Sequence, residues 1–201
     1  MPENTEDSGL FRARLRKTLL AKRLSLPRTA QNQHSRQICL LLEHWLGTIA
    51  GAADFPRTLG FCLPFRGEPD LLPLMTRLTD QKWALCVPVV EQTAAPMVFR
   101  HWQPDIPLKH DRHGVSIPDS ANVSPPALLL VPVLGVDAQG YRLGYGGGYF
   151  DRTLAALDAA AVRPKCVGIG FSVAEIASIA PQPHDRRLDL LVTETGMRSF
   201  A

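Results

Sequence analysis

The stretch ALLLVPVLGVDAQGYRLGYGGGYFDRTLAALDAAA, residues 127–161, decides how the rest of the chain is read. Its first part, ALLLVPVLGV, is a short apolar run closed by turn residues, which reads as a buried strand. Its last part, YFDRTLAALDAAA, carries the spacing of a helix that begins near Tyr149. Between them, RLGYGGGYFDR (residues 142–152) holds four glycines in eleven residues, bracketed by Arg142 and Asp151. A strand, a glycine turn and a helix in this order put the turn at the carboxyl end of a strand, where open α/β sheets bind ligands. Glycines there let the backbone approach a phosphate and aim N–H groups at it, while the helix adds its amino-terminal partial charge. No Gly-Lys-Ser/Thr follows, so this is not a P-loop. Tyr149 stands where the third glycine of a Gly-x-Gly-x-x-Gly fingerprint belongs. From the glycines alone, a phosphate cradle and a structural turn both stand. Arg142 can pair with phosphate oxygens and Asp151 can hold a magnesium ion, although Asp151 also reads as a helix-start carboxylate.

Further runs resemble strands: TLGFCLPF, WALCVPVV, MVFRHW, KCVGIGF and LDLLVTE. Candidate helices DLLPLMTRLTDQ and the shorter VAEIASI lie among them, and two helices open the chain. In the first, Leu10, Phe11, Leu15, Leu19, Leu20 and Leu24 form an apolar stripe with Arg12, Arg16 and Arg23 on another flank. In the second, Ile38, Leu41, Leu42, Trp45, Leu46 and Ile49 do the same. The alternation predicts an α/β fold with an open, mostly parallel sheet flanked by helices, Rossmann-like and three-layered, behind a helical amino-terminal segment. A chain of 201 residues, 45% hydrophobic, suits one domain over 1–201. Residues 103–126, proline-rich and without periodicity, read as a long excursion outside the sheet that can cover a site.

Bulk charge excludes little but directs the search. Basic residues outnumber acidic ones by only 22 to 19, a net +3, so nothing demands nucleic acid or a membrane and any anion site is local. The four cysteines, Cys39, Cys62, Cys86 and Cys166, form no Cys-x-x-Cys pair and read as reduced core residues. With no apolar leader and no run of eighteen apolar residues, the expected location is the cytoplasm. His110 and His113 share a His-x-x-His spacing without further ligands, which reads as solvated loop histidines rather than a metal site.

The segment VPVLGVDAQGYRLGYGGGYFDRTL closely resembles the signature of the 5-formyltetrahydrofolate cyclo-ligase family, also called 5,10-methenyltetrahydrofolate synthetases. RARLRKTLLAKRLSLP resembles that family's opening basic helix, LPFRGEPDLLPLM its strand followed by a glutamate and a helix, and PHDRRLDLLVTE its closing His-Asp and strand. The resemblance implies an ATP- and Mg2+-dependent ring closure. ATP phosphorylates the formyl oxygen of 5-formyltetrahydrofolate, a neighbouring folate nitrogen attacks, and 5,10-methenyltetrahydrofolate, ADP and phosphate leave. Phosphoryl transfer needs positioning and charge neutralisation rather than a protein nucleophile, and no Ser/His/Asp or Cys/His arrangement stands out here.

By position, the resemblance makes Arg12, Arg16, Arg142, Leu143, Gly144, Tyr145, Gly146, Gly147, Gly148, Tyr149 and Phe150 the ATP site, with Arg142 and Tyr149 catalytic. It gives substrate contact to Leu63, Glu68, Tyr149 and Phe150, and magnesium to Asp151 and Asp185. It implies small-molecule partners only, with no nucleic acid, membrane or obligate protein partner. Without the family, Arg12 and Arg16 read as a solvated basic face, Glu68 as a helix-start residue, and Tyr149 and Phe150 as packing; His184 either orients Asp185 or lies on the surface. Three positions depart from the family's pattern: Arg12 replaces a lysine, Ile117 in HGVSIPDS stands at a glutamate, and Ala174 in GFSVAEI stands where a glutamine is common. Two rivals follow: an ATP-using member with a different folate-like substrate, and a folate- or nucleotide-binding protein without turnover. The basic first helix alone suggests a nucleic-acid module.

Overall fold

The structure, a computed structural model, describes residues 5–51, 55–111 and 114–200. Two long helices, α1 (Thr5–Leu24) and α2 (Arg28–Ala50), precede β1 (Thr58–Gly60), α3 (Leu72–Asp80), β2 (Ala84–Val89) and β3 (Val98–Trp102). Then come β4 (Leu108–His110), β5 (Ser116–Pro118), β6 (Asn122–Val123), β7 (Leu128–Pro132), β8 (Gly135–Val136) and β9 (Arg142–Leu143). The chain closes with α4 (Tyr149–Ala159), β10 (Lys165–Ile169), a 3-10 turn over Ser172–Ala174, β11 (Leu190–Thr193) and β12 (Gly196–Ser199). Eight strands form one sheet in the order β12-β11-β10-β7-β1-β2-β3-β6. Its centre is parallel, from β11 to β2, and its two margins are antiparallel, as expected of a mostly parallel sheet.

The alternation of β7 shows why the sheet is covered on both faces. Leu128 and Leu130 point into a core with Ile38, Leu42 and Leu46 of α2 and Leu74, Met75 and Leu78 of α3. Leu129 and Val131 point the other way, into a cluster with Leu154 of α4, Cys86, Cys166 and Leu191. Both faces of a parallel strand are thereby buried, which accounts for its unbroken apolar run. Helix α1 joins a third, smaller cluster through Leu19, with Leu134, Leu143 and Ile179. Among the described residues no helix is long and apolar enough to cross a membrane.

Connectivity opens the crevice. From β1 the chain crosses through α3 to β2 on one side, whereas from β7 it crosses through α4 to β10 on the other, although β1 and β7 are parallel neighbours. Where crossovers diverge like this, the loops beyond the strands' carboxyl ends separate and leave room for a ligand. The loops that separate here are 61–71, with Leu63 and Glu68, and 133–148, with the glycines.

Several local expectations need correction. VAEIASI forms no α-helix: only the Ser172–Ala174 turn is helical, because Glu175 makes a β-bridge with Val136 and the Ile179 N–H reaches the Asp137 carboxylate at 3.4 Å. The excursion 103–126 is not wholly outside the sheet, since β6 pairs with β3 at its edge and β4–β5 form a hairpin. TLGFCLPF is a strand only over Thr58–Gly60, and ALLLVPVLGV divides into β7 and the separate β8. Strand β12 lacks an apolar alternation and is held by its antiparallel pairing with β11. The stripe of α1 is also rotated from the expectation: Leu10, Phe11 and Leu24 are exposed, while Arg23 is buried beside Leu19. All four cysteines are free.

Candidate active site

A cavity of about 440 Å³ lies in the crevice, lined by α1, the glycine loop, the first turn of α4 and the 182–185 loop. The loop's shape rests on two residues in left-handed territory, Gly146 (φ 98°) and Gly148 (φ 64°). A side chain at 146 would also press on Arg16, whose Cζ lies 3.4 Å from the position of an added Cβ. Upstream, Asp137 anchors the turn into β9 by accepting the N–H groups of Gln139 and Tyr141, both at 3.0 Å. Among the described residues no hydrogen bond is made by the N–H groups of Gly146, Gly147 or Gly148, and α4 starts at once, at Tyr149. A row of unengaged N–H groups leading into a helix amino terminus is a surface for an anion.

Arginines surround that surface. Arg16 donates from Nε to the Gly144 carbonyl at 2.9 Å, which ties α1 to the loop. Burial, then the charge of Arg12, holds the Arg16 guanidinium below its usual range, against the opposing pull of Asp185. Arg142, 6% exposed, donates to the Arg186 carbonyl at 2.6 Å and to Asp151 Oδ1 at 2.8 Å, with Phe150 below its guanidinium at 5.8 Å. Two of its five N–H donors are so used, and the residue lines the cavity. Arg152 donates to the Gly147 carbonyl and lies 4.9 Å from the Tyr149 ring.

The two aspartates are clamped differently. Asp185, its side chain 3% exposed, accepts both Arg12 terminal nitrogens, at 2.6 and 3.1 Å, and the Gln182 N–H at 2.7 Å. Burial works against its charge, yet Arg12 and the Gln182 N–H prevail and hold its carboxyl below the usual range. Asp151 Oδ1 accepts Arg142 and the Arg186 N–H, while its other oxygen accepts no hydrogen bond among the described residues. No group of three or more potential ligands exists among the described residues. Magnesium in phosphoryl-transfer sites takes one or two carboxylates and completes its shell from phosphates and water. An Asp151 oxygen at the cavity wall fits that role, and Asp185 in its present arrangement orients Arg12.

Glu68 is brought to the same crevice from the β1 side. Its side chain is 6% exposed; Oε1 accepts the Tyr145 hydroxyl at 3.0 Å and Oε2 the Phe65 N–H at 3.1 Å. Burial raises its carboxyl above the usual value, against the opposing pull of Arg23 and Tyr145. The structure thus gathers Arg12, Arg16, Arg142, Gly144 to Phe150, Asp151 and Asp185 around one cavity, with Glu68 joined through Tyr145. Two expected residues contribute no side chain to it: Leu143 is fully buried beneath the loop and Leu63 packs into the main core. Ile117 is in that core as well and Ala174 is buried in the second cluster, so both departures are apolar packing positions. The His184 side chain is exposed, 4.0 Å from Asp185; His110 is exposed on β4, and His113 lies outside the described residues.

Arg23 was not read from the sequence as a site residue. It is 3% exposed and donates to Tyr145 Oη at 2.9 Å and to the Val133 carbonyl at 2.6 Å. The signal was present in its spacing. Positions 12, 16, 19 and 23 fall on one face of a helix, and Leu19 on that face is buried.

Fold and cavity define an α/β protein with an arginine-walled crevice at the carboxyl ends of its central strands. Residues 11–194 match the 5-formyltetrahydrofolate cyclo-ligase family, and the chain belongs to it. A 5-formyltetrahydrofolate cyclo-ligase of Haemophilus influenzae is 27% identical over 196 residues, covering 94% of this chain and 99% of its own. One from Mycolicibacterium smegmatis is 26% identical over 191 residues, covering 90% and 93%. The solved 5,10-methenyltetrahydrofolate synthetase of Aquifex aeolicus superposes with a TM-score of 0.72 at 26% identity, over 94% of this chain and 92% of that one. A second, from Mycoplasma pneumoniae, superposes with a TM-score of 0.72 at 22% identity and shares the fold. The protein is accordingly an enzyme, a ligase of folate one-carbon chemistry that converts 5-formyltetrahydrofolate to 5,10-methenyltetrahydrofolate, in an ATP-dependent family.

Proposed function

We propose that the cavity is where ATP and 5-formyltetrahydrofolate meet, with the triphosphate on the glycine loop and the folate toward Glu68. The observation that carries this reading is the row of N–H groups from Gly146 to Gly148, unengaged among the described residues, in a loop that lines a cavity walled by Arg12, Arg16 and Arg142. Fixed donors around a transferring phosphoryl group stabilise its charge without reorganising, which is how such sites accelerate transfer. The phosphoryl passes from ATP to the formyl oxygen, turning a poor leaving oxygen into a good one. The neighbouring folate nitrogen then adds to the formyl carbon and closes the ring. Phosphate leaves with the former formyl oxygen and carries off the proton lost from that nitrogen, so methenyl product, ADP and phosphate account for every atom.

In this reading Arg142 is held by Asp151 and the Arg186 carbonyl so that its remaining donors face the phosphates. Arg16 fixes the loop by its bond to Gly144, and Arg12 is aimed by Asp185. Tyr149 and Phe150 give the reacting end of the folate a flat wall, and Glu68 accepts pterin N–H donors. Asp151 would hold a magnesium ion that arrives with ATP, and that ion would neutralise phosphate charge. The unit acting is the single domain 1–201, and its free, mostly buried cysteines suit a reducing compartment such as the cytoplasm.

The test mixes purified protein with ATP, magnesium and 5-formyltetrahydrofolate and follows the near-ultraviolet band of the methenyl product together with ADP. Product from the unmodified protein and none from Asp151→Ala supports the reading. ADP formed with another folate of a panel, but no methenyl band from 5-formyltetrahydrofolate, overturns it.

A further inference from the structure

Tyr145 belongs to two places at once. Its backbone lies in the glycine loop, between Gly144, which Arg16 holds at 2.9 Å, and Gly146, against which Arg16 packs. Its hydroxyl leaves that loop and ends on Glu68 in the neighbouring crevice wall. The ring stands edge-on to Phe65, 5.9 Å away, beside the same Glu68 loop. An arginine can only donate, so the 2.9 Å contact from Arg23 Nη1 makes the tyrosine oxygen an acceptor and directs its proton toward Glu68 Oε1. The polarity of the chain Arg23, Tyr145, Glu68 is therefore fixed. Arg23 is itself fixed by its second bond, to Val133 just beyond β7, and its Nη1 is 3.6 Å from Glu68 Oε1.

We propose that Tyr145, positioned by Arg23, couples the two ligand sites: filling the phosphate cavity fixes the glycine loop, which fixes the hydroxyl on Glu68 and readies that carboxylate for folate. The inference rests on Glu68 as a folate contact. A carboxylate has about four acceptor positions, and the hydroxyl and the Phe65 N–H occupy one on each oxygen. Capacity remains for folate donors while the carboxylate is held in place. Arg16 and Arg23 lie two turns apart on one face of α1, so a single rigid helix grips both ends of the link. Rigid parts shared by two sites give each ligand an interest in the other, and such coupling is reciprocal.

The experiment titrates 5-formyltetrahydrofolate into the protein by calorimetry, with and without a saturating magnesium complex of a non-hydrolysable ATP analogue. It compares the unmodified chain with Tyr145→Phe, which keeps the ring and lets Arg23 close on Glu68 directly. The analogue is expected to tighten folate binding about five- to tenfold in the unmodified chain, and folate to tighten the analogue by the same factor. In Tyr145→Phe the ratio falls to about one, whatever change the variant makes in either affinity alone. A merely structural hydroxyl would shift affinities and leave the ratio. An unchanged ratio in Tyr145→Phe, or a ratio of one in the unmodified chain, overturns the coupling while leaving the proposed function intact. Analogue binding without any folate binding in the unmodified chain overturns the reading of Glu68 and the coupling with it.

Discussion

Replacing the glycines of the loop one at a time separates the two tasks the loop performs. At Gly148 the backbone is left-handed (φ 64°, ψ 16°), a region that costs a residue with a side chain roughly 1–2 kcal/mol. An added Cβ would stand 2.8 Å from Arg152 Nη1, so the guanidinium must swing away from its bond to the Gly147 carbonyl, at a further cost of about 0.5–1.5 kcal/mol. Gly148→Ala is therefore expected to lose about 1.5–3.5 kcal/mol, which for a chain of this size lowers the melting temperature by roughly 3–14 °C. At Gly144 an added Cβ meets nothing within 4 Å and enters open space at the cavity wall. Gly144→Ala should melt within about 0.5 kcal/mol of the unmodified chain. It should bind a non-hydrolysable ATP analogue roughly 10- to 100-fold more weakly, because one or two charge-assisted hydrogen bonds to phosphate are displaced. As a control, Gly47→Ala in α2, also with nothing within 4 Å, gains about 0.5–1 kcal/mol of helix propensity and leaves nucleotide binding alone. Scanning calorimetry and isothermal titration read both quantities. If Gly148→Ala melts like the unmodified chain, or Gly144→Ala binds the analogue normally, the assignment of shape to one glycine and of phosphate contact to the other fails.

Asp151→Asn keeps an acceptor for Arg142 and removes the charge, so nucleotide binding should persist but lose most of its dependence on added magnesium; an unchanged magnesium titration refutes the ligand role. Glu68 gives a pH signature. Burial holds its folded value above 4.5 despite Arg23, Tyr145 and the Phe65 N–H, so its contribution to stability is full below 4.5 and is lost as pH rises through the folded value. In urea unfolding at a series of pH values, the unmodified chain should lose stability relative to Glu68→Gln on going upward from 4.5, and a flat difference excludes the burial argument.

How much of this could be read in the sequence depended on how local each cause was. The strand, glycine turn and helix of 127–161 are specified by neighbours in the chain, and they formed in that order. The central parallel strands carried their own signal because both faces of each are buried. The rotation of α1 had no such local cause. Its arginines turn inward because Asp185, Tyr145 and the Val133 and Gly144 carbonyls await them, all far along the chain. Apolar spacing alone pointed to Leu10, Phe11 and Leu24, which are exposed. VAEIASI looked helical by period, yet backbone partners on Val136 and the Asp137 carboxylate outweighed that preference. Strands β6 and β12 take their structure from the strands beside them, β3 and β11. The candidate site showed the same division: the glycines and Arg142 announced themselves, whereas Arg23 acquired its meaning from Glu68 and Tyr145.

The clamp between Arg12 and Asp185 joins residues 173 positions apart in the chain. A ribosome adding about 5–20 residues per second needs roughly ten to thirty-five seconds to supply the second after the first. Throughout that interval Arg12 has no Asp185 to receive it, and the glycine loop, made later, lacks the 182–185 wall. A chain that has reached the first turn of α4 consequently owns the whole glycine loop and still lacks the 182–185 wall of the pocket. In the proposed reading, the phosphate pocket is therefore assembled only when α1 and the 182–185 loop have met.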